Sequence, residues 1–162
     1  MKVLVVLNYQ REIPPFMLTE LHFAARQFDQ VYYVTRELTN DNSNQIIEDN
    51  VTVVQMNKAD RRYAISTLPM ALCRKEVRND IKRALHDKYN FGKILRYCGQ
   101  EMYCAQALYH RAKKLLKKFD QDTKITLLAT WFSEIAYVAA RLKKANPMWQ
   151  AVSLAHAYEI TR

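Results

Sequence analysis

Glycine is nearly absent from this 162-residue chain, in which Gly92 and Gly99 are the only two. Glycine-rich phosphate loops of the GxGxxG and Walker A types need several glycines at fixed spacing, so both are excluded. Any phosphate held by this chain is therefore held by another device. The sequence also lacks a run of about 18 apolar residues, so it predicts no membrane-spanning helix.

Cysteine is scarce as well: Cys73, Cys98 and Cys104 are odd in number and lack CxxC spacing. They indicate small buried side chains in a reducing compartment rather than a disulfide framework. No His/Cys pair has metal-ligand spacing, so no metal site is expected. The apolar stretch "KVLVVLN" is too short for the hydrophobic region of a signal peptide. These features together predict a cytoplasmic protein.

What is present is a globular composition, 49% hydrophobic and 25% charged, of a length that suits one domain. The net charge of +9 is unevenly distributed. Residues 58–118 hold 16 basic and 5 acidic residues, a net of +11, whereas the rest of the chain holds 9 and 11, a net of −2. This basic segment predicts an anionic partner, either phospholipid headgroups, nucleic acid or a phosphorylated substrate.

Apolar runs with β-branched residues alternate with segments of helical periodicity. This pattern is typical of a doubly wound, Rossmann-like α/β domain with a parallel sheet in the order 3-2-1-4-5. Pro69 is expected in the first turn of the second helix. The predicted strands are 2–8, 30–35, 51–56, 124–129 and 150–155, and the predicted helices are 17–28, 69–89, 91–119 and 131–145.

Ligands of open parallel sheets bind beyond the carboxyl ends of the strands, where the strand order reverses. In this order the reversal lies between strands one and four. The loop 8–16, Trp131 and residues 156–159 should therefore converge on one cleft. Taken singly, each also has an ordinary structural explanation: a surface imidazole, a solvated carboxylate, a core tryptophan or loop-shaping prolines. Topology alone names no reaction.

Residues 130–160, "TWFSEIAYVAARLKKANPMWQAVSLAHAYEI", resemble the N-terminal domain of GT-B glycosyltransferases. The likeness is to the retaining family-4 type of bacterial polysaccharide synthesis. Such enzymes have a tryptophan-containing turn after strand four, then a helix, then a strand ending in an Arg-Ala-His-Gly-Tyr-Asp-like motif. Here that motif is Leu154-Ala155-His156-Ala157-Tyr158-Glu159, with three departures: Leu for Arg, Ala for Gly and Glu for Asp.

The resemblance implies that residues 1–162 form the acceptor-binding domain of a larger hexosyltransferase-like enzyme. That enzyme would transfer a sugar, with retention, from a nucleotide-sugar to a polysaccharide or lipid-linked acceptor at the inner face of the membrane. A second domain would hold the donor, so this chain alone is expected to be inactive and to need no cofactor. His156 is the implied catalytic residue. The implied substrate-binding residues are Asn8, Tyr9, Pro14, Pro15, Phe16, Trp131, Tyr158 and Glu159.

Two alternatives remain open: an α/β enzyme of another kind, and a standalone binding module that applies its basic helical face to nucleic acid or another anion. In "DKYNFGKILRY" and "YHRAKKLLKKF" aromatic residues alternate with basic ones, as in some nucleic-acid binders. However, apolar residues recur there at helical spacing, which predicts a core face beneath a solvated basic face, so no nucleic acid is expected. The apolar residues are Ile94, Tyr97, Cys98, Met102, Ala105 and Leu108.

The fifth strand, "QAVSLA", has no charge and no proline to discourage edge pairing. In the order 3-2-1-4-5 it lies at an edge of the sheet, because the strands that follow in GT-B domains are not in this chain. The sequence therefore predicts that two copies pair through this strand.

Overall fold

The computed structural model describes residues 1–39, 43–46, 48–86, 90–131 and 134–154, with the backbone only at residue 76. Five parallel strands form one sheet in the order β3-β2-β1-β4-β5, which confirms the predicted fold class and strand order. In register, Val3 of the central strand lies opposite Gln30 on one side and Ile125 on the other. The strands are β1 (Lys2–Leu7), β2 (Gln30–Thr35), β3 (Val51–Gln55), β4 (Lys124–Ala129) and β5 (Gln150–Ser153).

The central strand is buried on both faces, as its continuous apolar run predicts. Val3, Val5 and Leu7 belong to one hydrophobic cluster, and Leu4 and Val6 to the other, because successive side chains of a strand point to opposite faces. None of the five is more than 5% exposed. β1 therefore anchors both layers, and its carboxyl end is held rigidly.

Helices cover the two faces unequally. α5 and α6 pack against the Val3 face, with α2 lying on α5, and α1 packs against the Leu4 face. A π-helical turn at Tyr97–Glu101 joins α4 to α5. The helices are α1 (Pro15–Ala25), α2 (Lys58–Leu72), α3 (Lys75–His86), α4 (Phe91–Arg96), α5 (Met102–Leu116) and α6 (Glu134–Ala145).

The predicted helix 69–89 was wrong at its start. α2 begins eleven residues earlier, at Lys58, and Pro69 lies inside the helix rather than in its first turn. The start is fixed by a capping box, in which the Asn57 side chain accepts from the Ala59 and Asp60 amides and the Asp60 carboxylate accepts from the Asn57 amide. Proline removes a backbone donor, and α2 ends within a turn of it, at Leu72.

Three smaller features refine the predicted elements. α1 begins at Pro15, because proline suits the first helical position, where the amide has no intrahelical partner. The connection between β2 and β3 has a short 3₁₀ turn at Ser43–Gln45. The predicted helix 91–119 is interrupted by the π-helical turn. Among the described residues, no helix is long and apolar enough to cross a membrane.

Candidate functional site

The carboxyl ends of the strands are tied to one another by short polar contacts. The Thr130 hydroxyl donates to the Leu7 carbonyl at 3.1 Å, which joins the end of β4 to the end of β1. The Thr35 hydroxyl donates to the Gln10 carbonyl at 2.8 Å, which joins the end of β2 to the loop after β1. The loops at this edge therefore have fixed positions relative to each other.

The structure places the predicted residues of the first loop in different surroundings. Asn8 is fully buried, and its Oδ1 accepts from the Gln10 amide at 2.9 Å, so it shapes the turn after β1. Tyr9 is half-buried and lies against the core cluster of the Val3 face. Pro14 and Pro15 start α1, and the Phe16 ring beside them is 44% exposed. Asn8 and Tyr9 thus lie at the end of the strand, and Pro14, Pro15 and Phe16 belong to the start of α1.

Trp131 follows β4 and is half-buried against the core of the Val3 face. Its carbonyl accepts from the Ser153 hydroxyl at 3.3 Å, which joins the ends of β4 and β5. His156, Tyr158 and Glu159 lie outside the described residues. Their predicted roles therefore stay predictions.

Tyr9, which follows β1 where the strand order reverses, and Tyr97, in the π-helical turn, both lie within electrostatic reach of Glu101 and Glu134. This switch-point cluster consists of Tyr9, Tyr97, Glu101 and Glu134. Burial and then the charge of Glu134 raise the pKa of Tyr9 to about 12. Burial and the charges of Asp80, Glu101 and Glu134 likewise raise the pKa of Tyr97 to about 12. Both phenols are therefore neutral hydrogen-bond donors at neutral pH.

Glu134 is the most unusual member of the switch-point cluster. It occupies the first position of α6, where the helix dipole favours a negative charge. The Tyr9 phenol hydrogen-bonds to the Glu134 carboxylate, whereas the Oε1 atom of that carboxylate is shielded from solvent and has no donor within contact distance among the described residues. A buried carboxylate oxygen without a donor is costly, so this side chain keeps an unused acceptor.

A second feature, the arginine pocket, adjoins the ends of β1, β2 and β3. It is a cavity of about 470 Å³. Arg61 forms a salt bridge with Glu37, whereas Arg11 and Arg36 have no carboxylate partner among the described residues. The pocket is lined by Arg11, Arg36, Glu37, Leu38, Thr39, Met56, Arg61, Tyr103, Cys104 and Ala107.

Cys104 lines the arginine pocket and is also within electrostatic reach of the switch-point cluster. Burial raises the pKa of its thiol, the positive charges of Arg36 and Arg11 lower it, and the negative charges of Glu134 and Glu101 raise it. The thiol is thus within electrostatic reach of both arginines and both glutamates. We call the arginine pocket, together with the neighbouring switch-point cluster, the carboxyl-edge cleft, which is cationic at the first feature and anionic at the second.

The sequence predicts a site at the carboxyl edge of the sheet, but it did not single out Arg11, Arg36, Glu101 or Glu134 there. Arg36 directly follows β2, and Arg11 lies in the loop after β1, so their positions in the sequence could have indicated them. Glu101 and Glu134 depend on how the π-helical turn and the start of α6 pack over the strand ends. No periodicity in the sequence shows that arrangement.

The basic segment is largely a solvated face, as predicted. Its apolar residues at helical spacing, from Ile94 to Leu108, are buried or half-buried, whereas most of its lysines and arginines are exposed. However, large apolar side chains are exposed among them: Leu85 at 57%, Phe91 at 73% and Leu95 at 62%. We call these three residues, with Lys82, Arg83, Lys93 and Arg96, the α3–α4 surface.

In the described part of the chain, no group of three or more His, Cys, Asp or Glu side chains is placed to hold a metal ion.

The parallel 3-2-1-4-5 sheet, flanked by helices and with a cleft at its carboxyl edge, defines a Rossmann-like α/β domain. No protein-family model, curated protein or solved structure matches the chain. The class of the domain therefore comes from its topology alone.

Proposed function

We propose that this chain is the acceptor-binding domain of a retaining glycosyltransferase, with the acceptor sugar held in the carboxyl-edge cleft at the switch-point cluster. The observation that carries the proposal is the half-buried Glu134 side chain, which is hydrogen-bonded to the neutral phenol of Tyr9 and has one carboxylate oxygen without a donor among the described residues. A carboxylate can accept from a sugar hydroxyl, and a phenol can both donate and accept. Aromatic rings such as that of Trp131 offer apolar surface to the sugar ring.

The proposed reaction transfers a hexose from a nucleotide-sugar to a polysaccharide or lipid-linked acceptor, as in capsule or exopolysaccharide synthesis. The donor and its leaving diphosphate would be bound mainly by a second domain, so this chain contributes the acceptor side. His156 is proposed to contact the donor sugar, as the resemblance implies. Support for these finer assignments comes from the resemblance of residues 130–160.

The test is whether the chain binds neutral sugars, measured by saturation-transfer NMR with a panel of methyl glycosides. Glu134→Gln keeps the shape of the side chain and removes its charge, and it should weaken binding roughly tenfold, the scale of one charge-assisted hydrogen bond. Glu20→Gln is the matched control, because Glu20 is exposed on α1 at the opposite face of the sheet. Equal affinities in the two variants, or no sugar bound at all, would refute the proposal.

A lipid-linked acceptor requires contact with a membrane, and we assign that contact to the α3–α4 surface. Phe91 and Leu95 are exposed on α4 among Lys93 and Arg96, which is the composition of an interfacial helix. Each lysine or arginine near an anionic surface contributes about 1 kcal/mol, and the exposed apolar side chains can insert between headgroups. The proposed location is the cytoplasmic face of a membrane.

Cosedimentation with vesicles tests the membrane assignment. Vesicles that contain phosphatidylglycerol should bind the protein, and added salt should weaken the binding. A Phe91→Ser/Leu95→Ser double variant should bind less, whereas Phe23→Ser, which removes a 54% exposed ring from α1, should bind like the parent protein. Equal binding to neutral phosphatidylcholine vesicles would contradict the assignment, and so would tighter binding to single-stranded nucleic acid than to any vesicle.

A further inference from the structure

The arginine pocket is lined by two cationic side chains, Arg11 and Arg36, that no described carboxylate pairs with. We infer that it is a binding site for a phosphate-bearing ligand, a phosphomonoester or a diphosphate, with Arg11 and Arg36 as its charge-pairing groups. The inference goes beyond the proposed function, because it rests on this pocket and not on the switch-point cluster. It holds whether or not the chain takes part in sugar transfer.

Charge is the first support. Of the three arginines that line the cavity, Arg61 is balanced by Glu37, and the other two are not balanced by any described carboxylate. Arg11 and Arg36 both line this cavity, and their positive charges both act on the Cys104 thiol. Two like charges in a partly enclosed pocket repel each other, and an anion between them removes that repulsion.

Preorganisation is the second support. The Arg11 carbonyl accepts from the Thr39 amide at 2.9 Å and from the Thr39 hydroxyl at 3.4 Å. The Thr35 hydroxyl holds the neighbouring Gln10 carbonyl at 2.8 Å. The backbone that carries Arg11 is therefore fixed to the end of β2, directly beside Arg36. A ligand meets two arginines whose backbones are already positioned.

The ligand chemistry follows from the shape of the groups. A guanidinium presents parallel N–H donors that match two oxygens of a phosphate, and a phosphate has enough oxygens for two such groups at once. At about 470 Å³, the cavity is larger than one phosphate needs. Leu38, Met56 and Ala107 supply apolar wall, so an organic group attached to the phosphate has a surface to contact. In this proposal the two arginines take the place of the glycine-rich phosphate loop that this sequence lacks.

Calorimetric titration with inorganic pyrophosphate, at fixed ionic strength, tests the inference. Arg11→Gln and Arg36→Gln should each lower the affinity by roughly tenfold or more, the scale of a charge-assisted contact. The affinity of Arg36→Lys should lie between that of Arg36→Gln and that of the parent, because lysine keeps the charge but loses the paired N–H donors of the guanidinium. The matched control is Arg62→Gln, which removes the same charge from an exposed position outside the pocket and should leave the affinity within about twofold.

A second arm separates the two sources of phosphate. If the natural ligand is a lipid phosphate, pyrophosphate should displace the protein from phosphatidic acid vesicles, and Arg36→Gln should weaken vesicle binding. If the ligand is soluble, pyrophosphate should bind without displacing the protein from vesicles. Absence of pyrophosphate binding to the folded parent protein would overturn the inference, and so would equal weakening by Arg62→Gln. Pyrophosphate binding with no sugar binding would refute only the proposed function.

Discussion

Asp60 is a buried carboxylate that carries three contacts at once, and its loss should be among the most damaging single substitutions in the chain. Its Oδ2 caps α2 by accepting from the Asn57 amide at 2.8 Å, and its Oδ1 pairs with His110 Nδ1 at 2.7 Å. The Arg111 guanidinium lies 3.7 Å from Oδ2. Asp60 is only 1% exposed, and it directly precedes Arg61 of the arginine pocket.

The expected cost is worked from these contacts. Losing a helix cap costs about 1 kcal/mol, and removing one partner of a buried charged pair costs about 3–5 kcal/mol, since the remaining groups keep their burial without their partner. His110 and Arg111 are partly exposed and regain some solvation, so the two terms do not add fully. Asp60→Ala should therefore lower the free energy of unfolding by about 3–5 kcal/mol. Asp60→Asn keeps an acceptor for the cap and should lower it by about 2 kcal/mol.

Urea unfolding followed by circular dichroism measures both variants, with Asp122→Ala at an exposed site as the control. The control should stay within about 0.5 kcal/mol of the parent. A double-mutant cycle of Asp60→Ala with His110→Ala should give a coupling energy of about 1–3 kcal/mol. The Tyr63 ring stacks on His110 at a centroid distance of 4.3 Å. The loss of this stacking cancels in the cycle if the rings stack equally well with and without the Asp60 carboxylate. A loss below 1 kcal/mol for Asp60→Ala would refute the reasoning.

Three further predictions concern other parts of the molecule. The tyrosines of the switch-point cluster ionise near pH 12 when folded but near pH 10 when unfolded, so their contribution to stability is complete below pH 10 and is lost as the pH rises to 12. Urea unfolding across that range should show a shallower decline for Tyr9→Phe than for the parent, and identical slopes would contradict the assigned burial. Val152 is 49% exposed on β5, which lies at an edge of the sheet. Sedimentation at tens of micromolar should therefore show self-association that Val152→Lys reduces. A monodisperse parent protein would count against edge pairing. In an active enzyme that contains this domain, His156→Ala should lower kcat by roughly 10², as expected for one positioned polar group, and a near-normal rate would exclude the catalytic role.

More of the fold than of the candidate site could be predicted from the sequence, for a physical reason. Strands buried on both faces appear in the sequence as unbroken apolar runs, and β1 and β4 lie where those runs are. Helix boundaries depend instead on local capping chemistry, which is why the Asn57–Asp60 box was overlooked in favour of Pro69. The charged residues of the cleft come from five separate segments. Their proximity is a product of packing, and only Arg11 and Arg36 could have been inferred from following a strand.

The central claim is that the switch-point cluster of the carboxyl-edge cleft binds the acceptor sugar. The most direct measurement is a map of backbone amide shifts in the ¹⁵N-labelled protein, titrated with the methyl glycoside that gives the largest saturation transfer. We expect shifts at Tyr9, Trp131 and the first turn of α6, which Glu134→Gln weakens and Glu20→Gln does not. Shifts confined to α1 or to the α3–α4 surface, with those three segments unmoved, would contradict it.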